Sequence, residues 1–306
     1  MIEDFILTDE DLLIIKILFS EKKLVKSDFE NICYESFIKI ASSHLILPTI
    51  YVNLKNANKL KFIPSDLKTY LFKIYSINKN RNAVLKEEVK ELSSILNSAK
   101  ITHVFTKGVG MIFNKMYIDD GERMIGDIDF LYEREETYKL KITLEKNGYF
   151  TNKNINFSPI HLDKKIKDNR LFAIEAHHSL LIRDKTKLPE GEFLKKVLLI
   201  NEIFVPEINQ MLLNNIYENQ INEHGYKKLN YNYRNIYDSY LMLKSKNINN
   251  HFYKDKYINN YINILNYLSV SYPSWLNAKK SPFNSFRIKM RKRSKIFKFW
   301  EWMFIK

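Results

Sequence analysis

Between Ile101 and Tyr132 the chain reads ITHVFTKGVGMIFNKMYIDDGERMIGDIDFLY, and two acids, Asp127 and Asp129, stand two residues apart in its apolar end. Side chains at i and i+2 point the same way only in an extended strand. Two carboxylates on one side of a buried strand repel each other and resist desolvation, so the pair calls for a cation. Upstream, a short apolar run ends in Lys107-Gly108-Val109-Gly110. A turn of this kind can lead backbone N–H groups onto a phosphate at the start of the next helix, where the dipole favours anions, with Lys107 adding a point charge. Arg123, just before the acids, is placed to neutralise a triphosphate or a leaving pyrophosphate. Glu175 offers a third carboxylate from a neighbouring strand, to bridge a metal ion and accept a nucleophile's proton. Donors for phosphate oxygens, carboxylates for metal and a base are what a nucleoside triphosphate with Mg²⁺ requires.

The order Lys-Gly, Tyr, Arg-x-x-x-Asp-x-Asp and Glu-x-His is carried here by Lys107, Gly108, Tyr117, Arg123, Asp127, Asp129, Glu175 and His177. It resembles the uncharacterised bacterial nucleotidyltransferase family of the polymerase-β superfamily. The resemblance is strongest over 101–180, weak over the N-terminal region (His44–Tyr51, HLILPTIY) and faint around Arg234–Asp238. It implies an α+β fold with a small mixed sheet flanked by helices, and transfer of NMP from an NTP such as ATP with release of pyrophosphate. It implies two-metal chemistry with Mg²⁺ or Mn²⁺, Asp127 and Asp129 being ligands and Glu175 the third acid. Lys107, Gly108, Gly110 and Arg123 would then meet the nucleotide, and His177 would orient the acids or the acceptor. A small molecule, a glycan precursor, a protein hydroxyl and an RNA end all suit such a site as acceptor. The superfamily's Gly-Ser or Gly-Gly pair reads Gly108-Val109 here, and a β-branched residue narrows the backbone's approach to phosphate. That departure motivates a second reading, a nucleotide-binding sensor or partner module without turnover.

The elements that must position these residues follow from periodicity. Thr8 with Asp11 predicts a capping box, and Ser27 with Glu30 a second helix start running on through Ile40. Pro48 starts a short third helix. From Pro64 to Ala99 apolar residues recur at helical spacing through Leu71, Leu85, Val89, Leu92 and Leu96. Then the period changes: strand Ile101–Thr106, short helix Met111–Tyr117, turn Asp119-Asp120-Gly121, strand Ile125–Tyr132, and helix Arg134–Asn147 stopped by Gly148. Leu171–Leu181 reads as a strand with Ala173, Glu175 and His177 on one face. From Glu192 on the spacing reads helical, over Leu194–Val205, Glu207–Glu223, Tyr231–Leu243 and Phe252–Val270. The expected organisation is a helical region 1–99, an α/β core 100–190, and a helical region 191–306.

His161, His177 and His178 beside Glu175 invite a zinc reading, but adjacent histidines on a strand face opposite ways and cannot both hold one ion. His44 reads as a packed residue. With 306 residues, 45% of them hydrophobic and 27% charged, the composition is that of a soluble globular protein. The single cysteine, Cys33, excludes an intramolecular disulfide, suits a reducing cytoplasm, and reads as a core residue. No basic N-terminal signal and no apolar run of membrane-spanning length is visible. The net charge of +14 is uneven, since the residues from Phe286 to Lys306 carry eight Lys/Arg against one Glu. That tail interleaves bases with Phe297, Phe299, Trp300 and Trp302, a pattern for peripheral contact with RNA or an anionic membrane, or for a packed C-terminal helix. A basic RNA-binding protein is the third reading.

Overall fold

The computed structural model describes residues 7–20, 23–151, 158–228, 231–245, 248 and 255–276. In chain order the first helices are α1 (Asp9–Phe19), α2 (Tyr34–Ser43), α3 (Leu47–Asn56) and α4 (Ser65–Ser98). There follow β1 (His103–Phe105), α5 (Lys107–Phe113), β2 (Asp127–Tyr132), α6 (Thr137–Lys146), β3 (Phe150–Thr151), β4 (Lys165–Ile166) and β5 (Ala173–His177). The rest comprises α7 (Glu190–Lys195), β6 (Val197–Ile200), β7 (Ile203–Pro206), α8 (Ile208–Tyr217), α9 (Gly225–Lys228), α10 (Tyr233–Leu243) and α11 (Lys256–Tyr267). Two compact units result: Thr69–Asn215, and Met1–Lys68 with Ile216–Lys306.

The first of these units is built on a five-stranded mixed sheet in the order β1-β2-β5-β4-β3, flanked by helices, an α+β architecture. Only β2 and β5 pair in parallel; the other neighbours are antiparallel. Alternation along the two central strands sends Ile128, Phe130, Tyr132, Ile174 and Ala176 into a core completed by Leu85, Val89, Leu92 and Leu96 of α4, with Leu140 and Leu144 of α6. The opposite face carries the polar residues. The other unit holds α1, capped by Thr8 with Asp11 in a capping box, and α3, which begins next to Pro48. Its His44 is half-buried, accepts a hydrogen bond from the Tyr233 amide at 3.3 Å, and packs edge-on against the Tyr233 ring.

Four expectations need correction. The segment Leu194–Val205 is not one helix: α7 ends at Lys195 and the chain then forms the hairpin β6–β7. Its turn residues Asn201 and Glu202 have φ of 49° and 67°, the two-residue connection that matches strand twist. Ser27 and Glu30 do not cap a helix; Lys26–Phe29 is a 3-10 turn in which Asp28 accepts from the Val25 amide at 2.9 Å, and α2 starts only at Tyr34. The helix expected from Met111 begins at Lys107, whose φ of 48° turns the chain from β1 into α5 within one residue. Cys33 is exposed, not core: it precedes α2, where its N–H donates to Glu10 Oε1 at 3.0 Å.

Gly148 ends α6 with φ 82°, as the left-handed position requires. The basic aromatic tail lies outside the described residues. Among the described residues no single helix is long and apolar enough to cross a membrane; α2 and α3 reach that length only together, across a 116° bend.

Candidate active site

The parallel register of β2 and β5 sets Asp127 opposite Ala173, Asp129 opposite Glu175 and Leu131 opposite His177. Neighbouring strands lie about 4.8 Å apart, so residues separated by some fifty positions in sequence become side-by-side acids. Asp129 is 5% exposed and His177 3% exposed, while Glu175 is partly open. His177 Nε2–H donates to Asp129 Oδ1 at 2.9 Å and stands 3.8 Å from Glu175 Oε2. One ligand atom from each of Asp129, Glu175 and His177 lies within 4.8 Å of the others. Asp127 shares the face but stands outside that group.

Two ammonium groups enter this cluster. Lys107 Nζ is 2.9 Å from Asp129 Oδ1. Lys164 Nζ is 2.9 Å from Asp127 Oδ2 and 2.9 Å from Glu175 Oε1, bridging the two acids. Burial raises the Asp127 pKa, and the negative charge of Asp129 adds to that rise. Burial acts the same way on Asp129, but Lys107 and the His177 hydrogen bond outweigh it and hold that carboxyl well below the usual range. Lys164 loses some basicity to burial and more than regains it from its hydrogen bonds to Glu175 and Asp127. The acids therefore divide into an ionised, clamped Asp129 and an Asp127 that gives up its proton less readily.

Backbone packing explains why Lys107 reaches Asp129. The Thr106 amide donates to Asp129 O at 3.0 Å, which seats the start of α5 against β2. Thr106 Oγ1 is buried there without a hydrogen-bond partner. Gly108 is required by close approach: a Cβ there would lie 2.5 Å from Arg123 Nη1 and 2.8 Å from Ile125 Cγ1. Arg123 is only 8% exposed, and its Nη1 donates to Met124 O at 3.4 Å. Asp119 accepts from Tyr75 at 2.9 Å and Lys79 at 3.2 Å, and Asp120 pairs with Lys86. Val109 is 1% exposed and lies in the apolar core.

Helix α4 holds both approaches to the site. Asn78 donates to Gly121 O at 2.8 Å and Arg123 O at 3.1 Å; one turn on, Asn82 donates to Asp120 O at 2.6 Å and Arg123 O at 2.9 Å. These bonds fix the loop that leads into β2. Glu88 receives the amides of Leu171 at 2.7 Å and Phe172 at 3.1 Å, which fixes the entry to β5.

The structure thus brings together Lys107, Asp127, Asp129, Glu175 and His177, and sets Arg123 against Gly108 beside them. Gly110 lies away from the acids, near Phe105 O and Pro206. His178 turns to the other side, towards the Tyr132 ring at 6.5 Å. Sequence reasoning missed Lys164, Asn78, Asn82 and Glu88. Two asparagines at i and i+4 among lysines and glutamates were a usable signal; nothing in Asp163-Lys164-Lys165-Ile166 singles out Lys164 before the strand register is known.

Asp129, Glu175 and His177 form a group of carboxylate and imidazole side chains that could hold a divalent metal ion. The buried Asp129, clamped by two hydrogen-bond donors, is what such a site needs in its ligand-free form. A family model described as an uncharacterised nucleotidyltransferase matches residues 31–254, well over half of the chain. No curated protein and no solved structure matches it significantly. The match spans every residue of the acid cluster and the helix that positions it, and on that extent the chain belongs to this uncharacterised nucleotidyltransferase family.

Proposed function

We propose that the protein is a divalent-metal-dependent nucleotidyltransferase of the polymerase-β type, moving NMP from an NTP to an acceptor hydroxyl. The observation that carries this reading is the register of Asp129 against Glu175, with Asp127 and His177 on the same face. Asp127, Asp129 and Glu175, with His177 beside them, would hold the metal. A bound divalent ion supplies charge neutralisation at the phosphates and activation of the attacking oxygen. Lys107 and Arg123 would supply positive charge to the triphosphate. The acceptor oxygen attacks the α-phosphorus in line while Glu175 takes its proton. The new O–P bond forms as the bond to the bridging oxygen breaks, and pyrophosphate leaves. A reducing cytoplasm, which supplies NTP and suits a chain with one cysteine, is the compartment this reading calls for.

Val109 motivates the reading without turnover, but its side chain lies in the core and so does not crowd a phosphate. The enzyme reading is therefore preferred. Each labelled NTP, Mg²⁺ and cell extract are incubated with the protein, and the extract is separated into protein, RNA and small molecules. Label is expected in one fraction with the wild type only. Equal labelling by a variant carrying both Asp127→Asn and Asp129→Asn would refute catalysis.

A further inference from the structure

Three partly or fully buried carboxylates, Asp127, Asp129 and Glu175, face two ammonium groups, and the two differ in how firmly they are held. Lys107 pairs with the most buried acid, and its side chain is 27% exposed. Lys164 bridges Asp127 and Glu175 at 2.9 Å each, and its side chain is 44% exposed. This is not an ordinary surface bridge, which contributes little. One ammonium serves two carboxylates whose side chains are only 28% and 18% exposed. Strand alternation dictates the placement: Lys165, the next residue, goes to the opposite face and donates to Thr151 Oγ1 at 2.9 Å.

We propose that Lys164 is the resident cation of the Asp127–Glu175 pair and competes with a divalent metal ion for it. The inference rests on the reading that these acids hold metal. Without metal, two like charges on adjacent strands need a counter-ion, and Lys164 provides it from within the chain. A divalent ion gains the same oxygens only when the ammonium leaves them. The more exposed side chain of Lys164, 44% against 27% for Lys107, lets its head group move to water. Lys164 thereby acts as a positioning residue, keeping the acids paired and setting the threshold at which metal enters.

The test titrates Mn²⁺ alone into the full-length protein, following free Mn²⁺ by electron paramagnetic resonance. The proteins compared are wild type, Lys164→Met, Lys164→Gln and Lys164→Arg. Removal of the competing charge is expected to tighten Mn²⁺ binding about tenfold in the Met and Gln variants, a modest change for a charge at hydrogen-bond distance. Lys164→Arg, which keeps the cation, is expected to bind like wild type. A second readout is unfolding in EDTA, where Lys164→Met should be less stable than wild type and recover with Mn²⁺. Misfolding cannot produce tighter binding, so the Met and Gln variants report on the competition itself. Equal or weaker Mn²⁺ binding by both overturns the inference and leaves the metal reading standing. Absence of binding by wild type and Lys164→Met alike, or binding unchanged by Asp127→Asn with Asp129→Asn, overturns the metal reading as well.

Discussion

His177 shows how much one side chain contributes to this site. Its Nε2–H donates to Asp129 Oδ1 at 2.9 Å and lies 3.8 Å from Glu175 Oε2, so it fixes the direction of one acid and stands beside the other. Groups that orient or supply metal ligands typically matter by about 10–100-fold in affinity. His177→Phe is therefore expected to weaken Mn²⁺ binding by about that factor, whereas His177→Gln, which keeps a donor, loses less; a Mn²⁺ titration reads both. The two glycines of Lys107–Gly110 are a second comparison. The sequence treats them alike, but a Cβ at Gly108 would meet Arg123 Nη1 at 2.5 Å, whereas one at Gly110 would meet Phe105 O at 3.3 Å. Arg123 and Ile125 are both buried, so neither yields freely. Gly108→Ala should cost about 1–3 kcal/mol in urea unfolding, the range for overpacking, and Gly110→Ala less. Equal losses would show that the Arg123 guanidinium does not lean on Gly108. The placement of Asp127, Asp129 and Glu175 on one face was legible because it rests on strand alternation. That of Lys164 was illegible because it needs register.

At the scale of elements, α4 is the part whose role the sequence conceals. Its bounds are plain from apolar spacing, and its apolar face goes to the sheet as expected. Its polar face looks like solvated helix surface, yet Asn82 is fully buried and donates to two carbonyls of the loop before β2. Asn82→Ala would leave Asp120 O and Arg123 O without these donors. A loss of about 1–3 kcal/mol is expected for buried groups left unsatisfied, measured by urea unfolding against the exposed α4 control Asn80→Ala. A loss no larger than the control's would mean that α4 does not anchor the loop. The strands β2 and β5 were legible because period-two alternation places acids on one face and Ile128, Phe130, Ile174 and Ala176 on the other. The hairpin β6–β7 was not. Its apolar residues are spaced as a helix would space them, and its turn uses Asn201-Glu202 where such a connection favours Asn-Gly. The start of α2 was misread for a related reason: Ser27 and Glu30 have the capping pattern, but Asp28 is drawn to Val25 and Lys16 instead.

Across the whole molecule, each compact unit carries a histidine whose pKa burial lowers. His44 accepts the Tyr233 amide, and burial lowers its pKa, with Asp11 opposing only in part. His103 is 4% exposed, burial lowers its pKa, and its Nδ1–H donates to Ile101 O at 2.8 Å. Its Nε2 is buried without a partner and surrounded by the rings of Phe105, Phe130 and Phe204. A proton added to Nε2 would place a charge out of reach of water. Because the folded pKa lies below the ordinary 6.5, the unfolded chain binds that proton first as pH falls. Stability is then fully present above pH ~6.5 and is lost progressively below it, down to the lowered folded pKa. The same sign holds for His44, and the net charge of +14 adds self-repulsion as acids begin to protonate. His103→Phe isolates one contribution. It removes the titrating nitrogen and preserves the ring contacts, at the loss of the bond to Ile101 O. Thermal unfolding at pH 8 and pH 5.5 should therefore show a smaller acid-induced drop in Tm for His103→Phe than for wild type. At pH 8 the variant should lie close to wild type, since a neutral orphan nitrogen and its hydrogen bond are exchanged for an apolar edge. An equal drop in the two proteins would mean that His103 is protonated as readily in the folded unit as in the unfolded chain, and that its aromatic surroundings do not exclude charge.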